Sequence, residues 1–216
     1  ALTATAHRPL WRQPGFLGYT VLHLACLAAI WTGVSWAAGA VALGLYLVRM
    51  FAITGFYHRY FSHKTFKTSR PVQFLFALLG AASGQRGPLW WASHHRRHHA
   101  RSDQDDDLHS PRQHGLWHSH VGWIWQPEAA VTERRWIKDL WRAPELRWLD
   151  RWHLIAPVGL GAAVFLLGWL LAHVAPGWGT DRWQMLVVGF CWSTVALYHG
   201  TYTINSLSHR FGRRRF

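Results

Sequence analysis

Six histidines fall into three closely spaced groups whose residue types and spacing could hold a metal ion. The groups lie in the segments HRYFSH, HRRHH and NSLSH, and their members are His58 and His63, then His95, His98 and His99, then His209. Neutral imidazole suits iron, copper and zinc, and few other demands would concentrate it in this way. A single histidine is more often a surface or core residue, so the metal-site hypothesis depends on the three groups together.

Helical spacing predicts how the two larger groups present their rings. If residues 88–101 form a helix, His95, His98 and His99 stand at i, i+3 and i+4 and share one face. His58 and His63 are five residues apart, which is about 140° around an α-helix, so they converge only if the helix frays or ends between them. We therefore expect His63 to lie past a helix C-terminus.

The third group adds an amide to the imidazole. Asn205 and His209 stand at i and i+4 at the end of an apolar run, where the amide oxygen could accept a hydrogen bond from a metal-bound water. A competing interpretation of the second group is a solvated basic face that touches anionic lipid, because arginines surround HRRHH. Three groups that each adjoin a long apolar segment favour the metal site.

The elements that must position these histidines are membrane helices. Half of the 216 residues are hydrophobic, 16 are Trp and the formal charge is +13, which is typical of a membrane protein with a basic cytoplasmic side. Two apolar hairpins have arms near the roughly 20 residues that cross a hydrocarbon core. The predicted spans are 16–36, 38–57, 154–174 and 183–207, and residues 58–153 lie between the hairpins. The predicted fold is an all-α integral membrane protein with four transmembrane helices.

The distribution of Lys and Arg predicts the orientation of these spans. Fifteen of the 23 cations lie between Arg59 and Arg151, and most of the others lie near the two termini. By the positive-inside rule both termini and a helical cap, 58–153, are cytoplasmic, which suggests a bacterial inner-membrane protein. Arg49 would be costly inside the bilayer, so we expect it near the headgroups. A competing interpretation makes residues 16–38 a cleaved signal peptide.

Within the cap, three segments carry further expectations. Phe74–Ala82 is too short to cross and is interpreted as an interfacial helix, and 132–152 interleaves Trp with cations as an interfacial helix would. Four aspartates follow the second histidine group: Asp103, Asp105, Asp106 and Asp107. We expect them to be solvated or paired with arginine. The alternative is that they bind the metal or accept hydrogen bonds from the histidines that do. Cys26 and Cys191 lie in apolar spans, which indicates neither a disulfide nor thiolate ligation.

The strong positive charge suggests an anionic partner, and nucleic acid is a less suitable candidate than a phosphate-containing acyl carrier or an anionic lipid. Four membrane spans and no recognisable nucleic-acid-binding module argue against it. The basic surface could instead hold the phosphates of an acyl carrier such as coenzyme A, or anionic lipid headgroups.

Four segments, in order, resemble the integral-membrane fatty acyl desaturases, most closely the bacterial members of the stearoyl-CoA Δ9 type. The segments are HRYFSHKTFKTS, GPLWWASHHRRHHARSD, HGLWHSHVGWI and TINSLSHRFG, and the resemblance runs from about Leu45 to Gly212. It implies four transmembrane helices under a cytoplasmic cap with a di-iron site. The implied ligands are His58, His63, His95, His98, His99 and His209, with Asn205 acting through a water; no catalytic residue separate from these ligands is implied.

The implied reaction is the oxygen-dependent removal of two hydrogens from adjacent carbons of a saturated acyl chain, carried by coenzyme A or by a lipid, at the Δ9 position. The protein would hold the chain in a narrow apolar tunnel, so that positioning alone selects the carbons. Electrons would come from a partner such as ferredoxin, rubredoxin or cytochrome b5 with its reductase. Candidate residues near the substrate are His120 and His199.

One departure from the family pattern leaves alternatives open. The family normally has another HxxHH group after NSLSH, and this sequence ends at Phe216, seven residues past His209. We expect the missing three ligands to belong to a longer chain; the alternative sources are His109, His114, His118 and His120. A related membrane hydroxylase, or a non-catalytic metal-binding membrane protein, are the competing functions.

Overall fold

The described part of the chain is helical. The structure is a computed structural model and describes residues 9–105 and 107–207, among which there is no β-strand. We label the longer α-helices α1 to α7 and the two π-helical segments π1 and π2. They are α1 Pro14–Ala25, α2 Trp36–Phe51, π1 Ala52–Ser62, α3 Arg70–Ala81, α4 Pro88–Arg101, α5 Pro144–Arg151, α6 Ile155–Val174, π2 Met185–Trp192 and α7 Ser193–Ser206. The all-helical prediction is confirmed for these residues.

Shorter helical segments connect the longer helices. The short α-helical segments are Ala29–Thr32, Pro111–His114, Leu116–His120 and Arg182–Gln184. The 3-10 segments are Leu10–Arg12, Cys26–Ala28, Gly122–Trp125, Pro127–Ala130, Arg134–Trp136, Leu140–Arg142 and Pro176–Trp178.

Three continuous helices are long and apolar enough to cross a membrane. They are Pro14–Thr32, Trp36–Ser62 and Ile155–Val174, with 19, 27 and 20 residues. The first two are separated where Gly33 adopts a left-handed φ of 72°, and the Ser35 hydroxyl accepts a hydrogen bond from Ala38 N to begin α2. Serine at this position satisfies one of the unpaired amides at a helix start, so the sequence itself places the turn.

The fourth predicted span has the right length but a more polar composition. Residues 182–206 are helical throughout, yet this stretch is not one of the three apolar helices. Its second half includes Tyr198, His199 and Asn205, which lower its mean hydropathy. The four-span arrangement therefore remains a prediction.

The spans pack through small residues against π2. Ala37 and Ala38 of α2 and Val164 of α6 are buried together with Met185 and Val188. By contrast, large apolar side chains elsewhere on these helices are exposed; examples are Leu24, Ile30, Trp31, Val158 and Leu166. Exposed apolar surface of this extent fits helices whose surroundings are lipid rather than water.

Arg49, which was expected near the headgroups, is buried between helices with 2% of its surface accessible. Its guanidinium donates to Thr194 Oγ1 at 2.8 Å, to Ser193 Oγ at 2.6 Å and to Leu45 O at 3.1 Å. Two hydroxyl groups of a neighbouring helix and a carbonyl of its own helix satisfy a cation that would be costly alone in lipid, and its place near the headgroups stays a prediction.

The cap has a separate core that joins π1 to the central segment. Tyr57 and Phe61 of π1 are fully buried with Leu89, Leu146 and Leu149. The predicted interfacial helix near 74–82 is present as α3, although nothing in the structure tests its place at a membrane surface.

The single helix expected over 132–152 is wrong. The chain forms the 3-10 segments Arg134–Trp136 and Leu140–Arg142, and only α5 is α-helical. Pro144 begins α5 after an extended Ala143, because proline disfavours helical backbone at the preceding residue. Helix-like spacing of Trp and cations was therefore not enough to predict one helix.

Candidate metal centre

The π-helical segment π1 solves the spacing problem of the first histidine group. In a π-helix the backbone bonds run from i to i+5, so residues five apart lie above one another. His63 N donates to His58 O at 3.1 Å in this pattern, and His63 is the residue that follows the end of π1. The expectation that His63 lies past a helix C-terminus is confirmed, but the rings converge through a change of helix type rather than through fraying.

The second group lies on α4, whose bounds Pro88–Arg101 match the predicted 88–101. Its N-terminus is fixed by Asp150 of α5, whose Oδ1 accepts from Leu89 N and Trp90 N at 2.9 Å each. A Cβ on Gly87 would lie 2.5 Å from Asp150 Cα, so this close approach requires glycine.

Four imidazoles from π1, its end and α4 meet in one cluster. His63 Nε2 lies 3.0 Å from His58 Nε2 and 3.1 Å from His95 Nε2, and His99 Nε2 lies 3.0 Å from His95 Nε2. One ligand nitrogen from each of the four rings lies within 4.8 Å of the other three, and all four residues are histidines. We call these residues the four-histidine cluster.

The electrostatics of the cluster favour the neutral form of His95. Burial, and then the nearby rings of His99, His58 and His63, lower the pKa of His95 to about 2. A neutral imidazole keeps the lone pair that a metal ion needs.

The donor set fits a transition-metal ion. Imidazole nitrogens bind such ions at about 2.1 Å, so two that subtend a right angle lie about 3 Å apart. The three short nitrogen separations in the cluster, 3.0, 3.1 and 3.0 Å, match that spacing. All-imidazole ligation suits iron, copper, nickel or zinc better than magnesium or calcium.

His98 does not join His95 and His99, although all three were expected on one face. Its Nδ1 lies 3.1 and 3.0 Å from the two carboxylate oxygens of Asp107, and its ring centroid is 4.1 Å from that of His109. Residues i+3 and i+4 diverge by about 100° around a helix, which lets His98 and His99 turn to opposite sides of His95. His98, Asp107 and His109 form a second, buried group that could hold a metal ion.

Asp107 is held as a carboxylate in this second group. Burial alone would raise its pKa, but hydrogen bonds from His98 and from Asp103 N lower the pKa of Asp107 to about 2. The expectation of a solvated or arginine-paired carboxylate was therefore wrong at this position. It is correct for Asp103, which lies 3.5 Å from Arg112 Nε, while Asp105 is exposed and Asp106 lies outside the described residues.

The third sequence group is only partly described. Asn205 lies in the last turn of α7, and its backbone O accepts from Ser119 Oγ at 2.8 Å. His209 lies outside the described residues. The roles of Asn205 and His209 therefore remain predictions.

The two candidate substrate residues are linked to a histidine that the sequence analysis missed. His199 Nδ1 lies 3.1 Å from His120 Nε2, and His199 Nε2 lies 3.2 Å from His23 Nε2 on α1. His120 Nδ1 also lies 3.0 Å from Ser206 Oγ. The signal for His23 was present, because an ionisable residue in the middle of an apolar span usually has a partner. Contact with substrate remains a prediction for His120 and His199.

The other alternative ligands take different places. His118 Nε2 lies 3.0 Å from Leu108 O, and the exposed His114 packs its ring 4.8 Å from that of His118. Of the alternatives, His109 is the one that lies in a group of described residues that could hold a metal.

Arg96, between the histidines of α4, ties the two parts of the cluster together. It donates to Phe61 O at 2.5 Å and Ser62 O at 3.1 Å, the last carbonyls before His63. It also donates to Trp136 O and forms an ion pair with Asp139 at 2.7 Å. The sequence showed only an arginine in a basic stretch, because its carbonyl partners are brought together by folding.

Three helices long and apolar enough to cross a membrane, together with two histidine-containing groups, are the features of a membrane-associated protein that could bind transition metals. The sequence profile of fatty acid desaturases matches residues 34–215. The chain therefore belongs to the fatty acid desaturase family, whose enzymes are oxidoreductases that generally use iron and dioxygen.

Among its relatives are two cyanobacterial enzymes. An sn-1 stearoyl-lipid 9-desaturase of Anabaena variabilis is 32% identical over 99% of this chain and 74% of its own length. An sn-2 palmitoyl-lipid 9-desaturase of Nostoc sp. (strain 36) is 32% identical over 95% of this chain and 68% of its own length. A chloroplastic palmitoyl-monogalactosyldiacylglycerol delta-7 desaturase of Arabidopsis thaliana is 34% identical over 94% of this chain and 53% of its own length.

Proposed function

We propose that this desaturase introduces a double bond at position 9 of a saturated, lipid-linked fatty acyl chain, using a pair of iron ions and dioxygen. The observation that carries the proposal is the convergence of four imidazoles, whose neighbouring Nε2 atoms are 3.0–3.1 Å apart. The rings come from elements on both sides of residues 64–87. The names of the two cyanobacterial relatives support both the position and the lipid carrier. An acyl-CoA substrate is the other carrier that the family offers.

The two iron ions would use different groups of residues. The four-histidine cluster would hold one ion. His98 would contribute to the other, with His209 and, through a water, Asn205. When bound, the iron pair would supply the power to oxidise an unactivated C–H bond, which side chains lack.

The chain's own residues prepare these sites for metal. Burial keeps His95 neutral, so that its nitrogen is available without loss of a proton. Asp107 faces His98 Nδ1, which makes that nitrogen the protonated one and leaves Nε2 as the ligand atom. Arg96 holds the end of π1 against α4 and so fixes the separation of His63 from His95.

The setting that we propose has four membrane helices and a cytoplasmic cap, residues 58–153, in the bacterial inner membrane. Residues 183–207 would be the fourth span, and residues 1–216 would form one domain. The excess of Lys and Arg in the cap and near both termini supports this orientation. Reducing equivalents would come from a separate donor such as ferredoxin, rubredoxin or cytochrome b5 with its reductase.

The decisive experiment is product analysis in a bacterium whose own membrane desaturases have been deleted. Fatty acids from cells with wild-type protein should contain a cis-alkene whose position, located by mass spectrometry, is Δ9. His95→Ala should abolish the product, whereas His173→Ala, far along α6 from the cap, should leave it unchanged.

Each other outcome contradicts the proposal in a different way. A hydroxy fatty acid in place of the alkene would favour the hydroxylase. Full product from His95→Ala would exclude the four-histidine cluster as the reactive centre. A protein that holds metal but gives no product in these cells would favour the non-catalytic metal-binding alternative.

A further inference from the structure

An open groove lies on the outer side of the helix that carries His58. It has a volume of about 310 Å³ and is lined by Phe51, Gly55, Phe56, Arg59, Thr65 and Phe66. This volume is at the lower end of the range for small-molecule sites. None of its lining residues belongs to the four-histidine cluster or to the group of His98.

The groove is built from aromatic rings that other contacts hold in place. Phe56 stacks on Phe76 with ring centroids 3.9 Å apart and an interplanar angle of 7°. The ring of Phe51 stands edge-on against Phe56 with centroids 5.4 Å apart, and it lies over Gly55, where an added Cβ would be 3.4 Å from it. Phe51 and Phe66 expose 62% and 43% of their surfaces. Rings fixed on one side and open on the other form a preformed apolar surface.

The length of the span places this groove at the boundary of the bilayer. The helix Trp36–Ser62 has 27 residues, whereas about 20 cross a hydrocarbon core. If the hydrocarbon begins near Trp36, it ends near Gly55. Phe51 then faces acyl chains, and Arg59 reaches the headgroup layer.

The polar end of the groove carries Arg59, for which the described residues offer no ion-pair partner. Within residues 9–105 and 107–207 no carboxylate pairs with Arg59, whereas the nearby Lys64 and Arg70 pair with Asp139 and Glu145 at 3.0 and 2.6 Å. The Thr65 hydroxyl beside it donates to Arg59 O at 3.1 Å. A guanidinium left free next to an apolar groove is complementary to a phosphate attached to an acyl chain.

We propose that the groove binds a phospholipid of the surrounding bilayer, with the phosphate on Arg59 and one acyl chain along Phe51 and Phe56. The lipid would lie against the helix Trp36–Ser62 at π1, the segment whose π-helical backbone brings His58 close to His63. The inference does not depend on the reaction that the metal centre catalyses.

The test measures lipid retention by native mass spectrometry after release from nanodiscs that contain equal amounts of phosphatidylglycerol and uncharged monogalactosyldiacylglycerol. Wild-type protein should retain phosphatidylglycerol about fivefold more, the preference that one interfacial cation gives. Arg59→Gln should remove this preference and Arg59→Lys should keep most of it. Gly55→Leu, which fills the groove, should lower retention of both lipids. Lys67→Gln is the matched control, because this exposed cation does not line the groove.

Two results would overturn the proposal. Equal retention of the two lipids by wild-type protein would mean that only nonspecific boundary lipid is present. An unchanged preference in Arg59→Gln would exclude Arg59 as the phosphate contact. Retention of monogalactosyldiacylglycerol by Arg59→Gln at the wild-type level would show that this variant is folded, so that loss of the preference reports on the phosphate contact.

Discussion

At the scale of single residues, the question is where each imidazole carries its proton. His63 Nε2 faces two other ring nitrogens at 3.0 and 3.1 Å. Two lone pairs at this distance repel each other unless a proton or a cation lies between them. Neutral His63 has either one proton or one lone pair at Nε2 and can make a full hydrogen bond to only one of the two neighbours, whereas a metal ion among the rings could accept every lone pair. His98 differs, because its Nδ1 faces a carboxylate and has a defined proton position.

The central position of His63 leads to a prediction for metal affinity. His63→Ala should lower the affinity of the four-histidine cluster for cobalt(II) by at least about 100-fold, since even residues that only orient ligands cost 10- to 100-fold. Titration of the metal-free protein, followed by the visible absorption of the bound cobalt, measures this. His173→Ala should bind as wild type does, and a similar affinity in His63→Ala would contradict the role of His63 as a ligand.

Asp107 leads to a second prediction at this scale. Asp107→Asn removes the charge that fixes His98 but keeps the side-chain size, so the second metal should bind about 10- to 100-fold more weakly while the four-histidine cluster is still filled. Metal analysis at limiting free iron should then give fewer ions per chain. Asp105→Asn, in an exposed part of the same loop, is the control. Equal loss in the two variants would show that the loop, rather than the carboxylate on His98, is responsible.

At the scale of elements, π1 is the part of the fold that the sequence could not predict. The length of the apolar run predicted a span over 38–57, but such a run does not report whether backbone bonds go to i+4 or to i+5. The need for His58 and His63 to meet was the indirect sign that an ordinary α-helix would not suffice. Helix α4, in contrast, has the bounds 88–101 on which the spacing argument for HRRHH depended, and Pro88 suits its first turn.

The candidate site also has a part that the sequence predicts and a part that it does not. Which histidines might bind metal could be read from their spacing, but the separation of His98 from His95 depends on Asp107, nine residues further along the chain. Arg96 was equally hidden, because its acceptors are backbone carbonyls near residues 61 and 136. Partners of this kind leave no local sequence pattern.

The packing of α3 against π1 gives a prediction for this scale. A Cβ on Gly80 would lie 2.0 Å from the ring of the buried Tyr57, so Gly80→Ala forces that ring and π1 to move. Overpacking of this kind costs about 1–3 kcal/mol, which should lower the thermal unfolding midpoint in detergent and lower the metal content.

The control for Gly80→Ala is Gly44→Ala on α2. No heavy atom lies within 4 Å of a Cβ there, and replacement of glycine in a helix removes backbone freedom from the unfolded chain. Gly44→Ala should therefore unfold at the same temperature as wild type or slightly higher. A normal midpoint in Gly80→Ala would mean that Tyr57 is not packed tightly against α3.

At the scale of the whole molecule, the histidine groups, the cap core and most of the positive charge belong to the same part of the chain. An arrangement with this part on one side of the membrane predicts opposite accessibility for two exposed sites. Lys138→Cys, in the cap, should react with a membrane-impermeant maleimide only in inside-out vesicles. Gly177→Cys, in the turn after α6, should react only in right-side-out vesicles or intact spheroplasts. The same labelling pattern at both sites would contradict the proposed orientation.

The environment of Arg49 has a consequence for how the protein is made. Its side-chain partners Thr194 and Ser193 follow it by 145 and 144 residues. While the ribosome is still adding the cap, the second helix holds a guanidinium in or beside lipid with neither hydroxyl yet synthesised. The second helix therefore reaches its full stability in the membrane only when the last helix supplies these two hydroxyl groups.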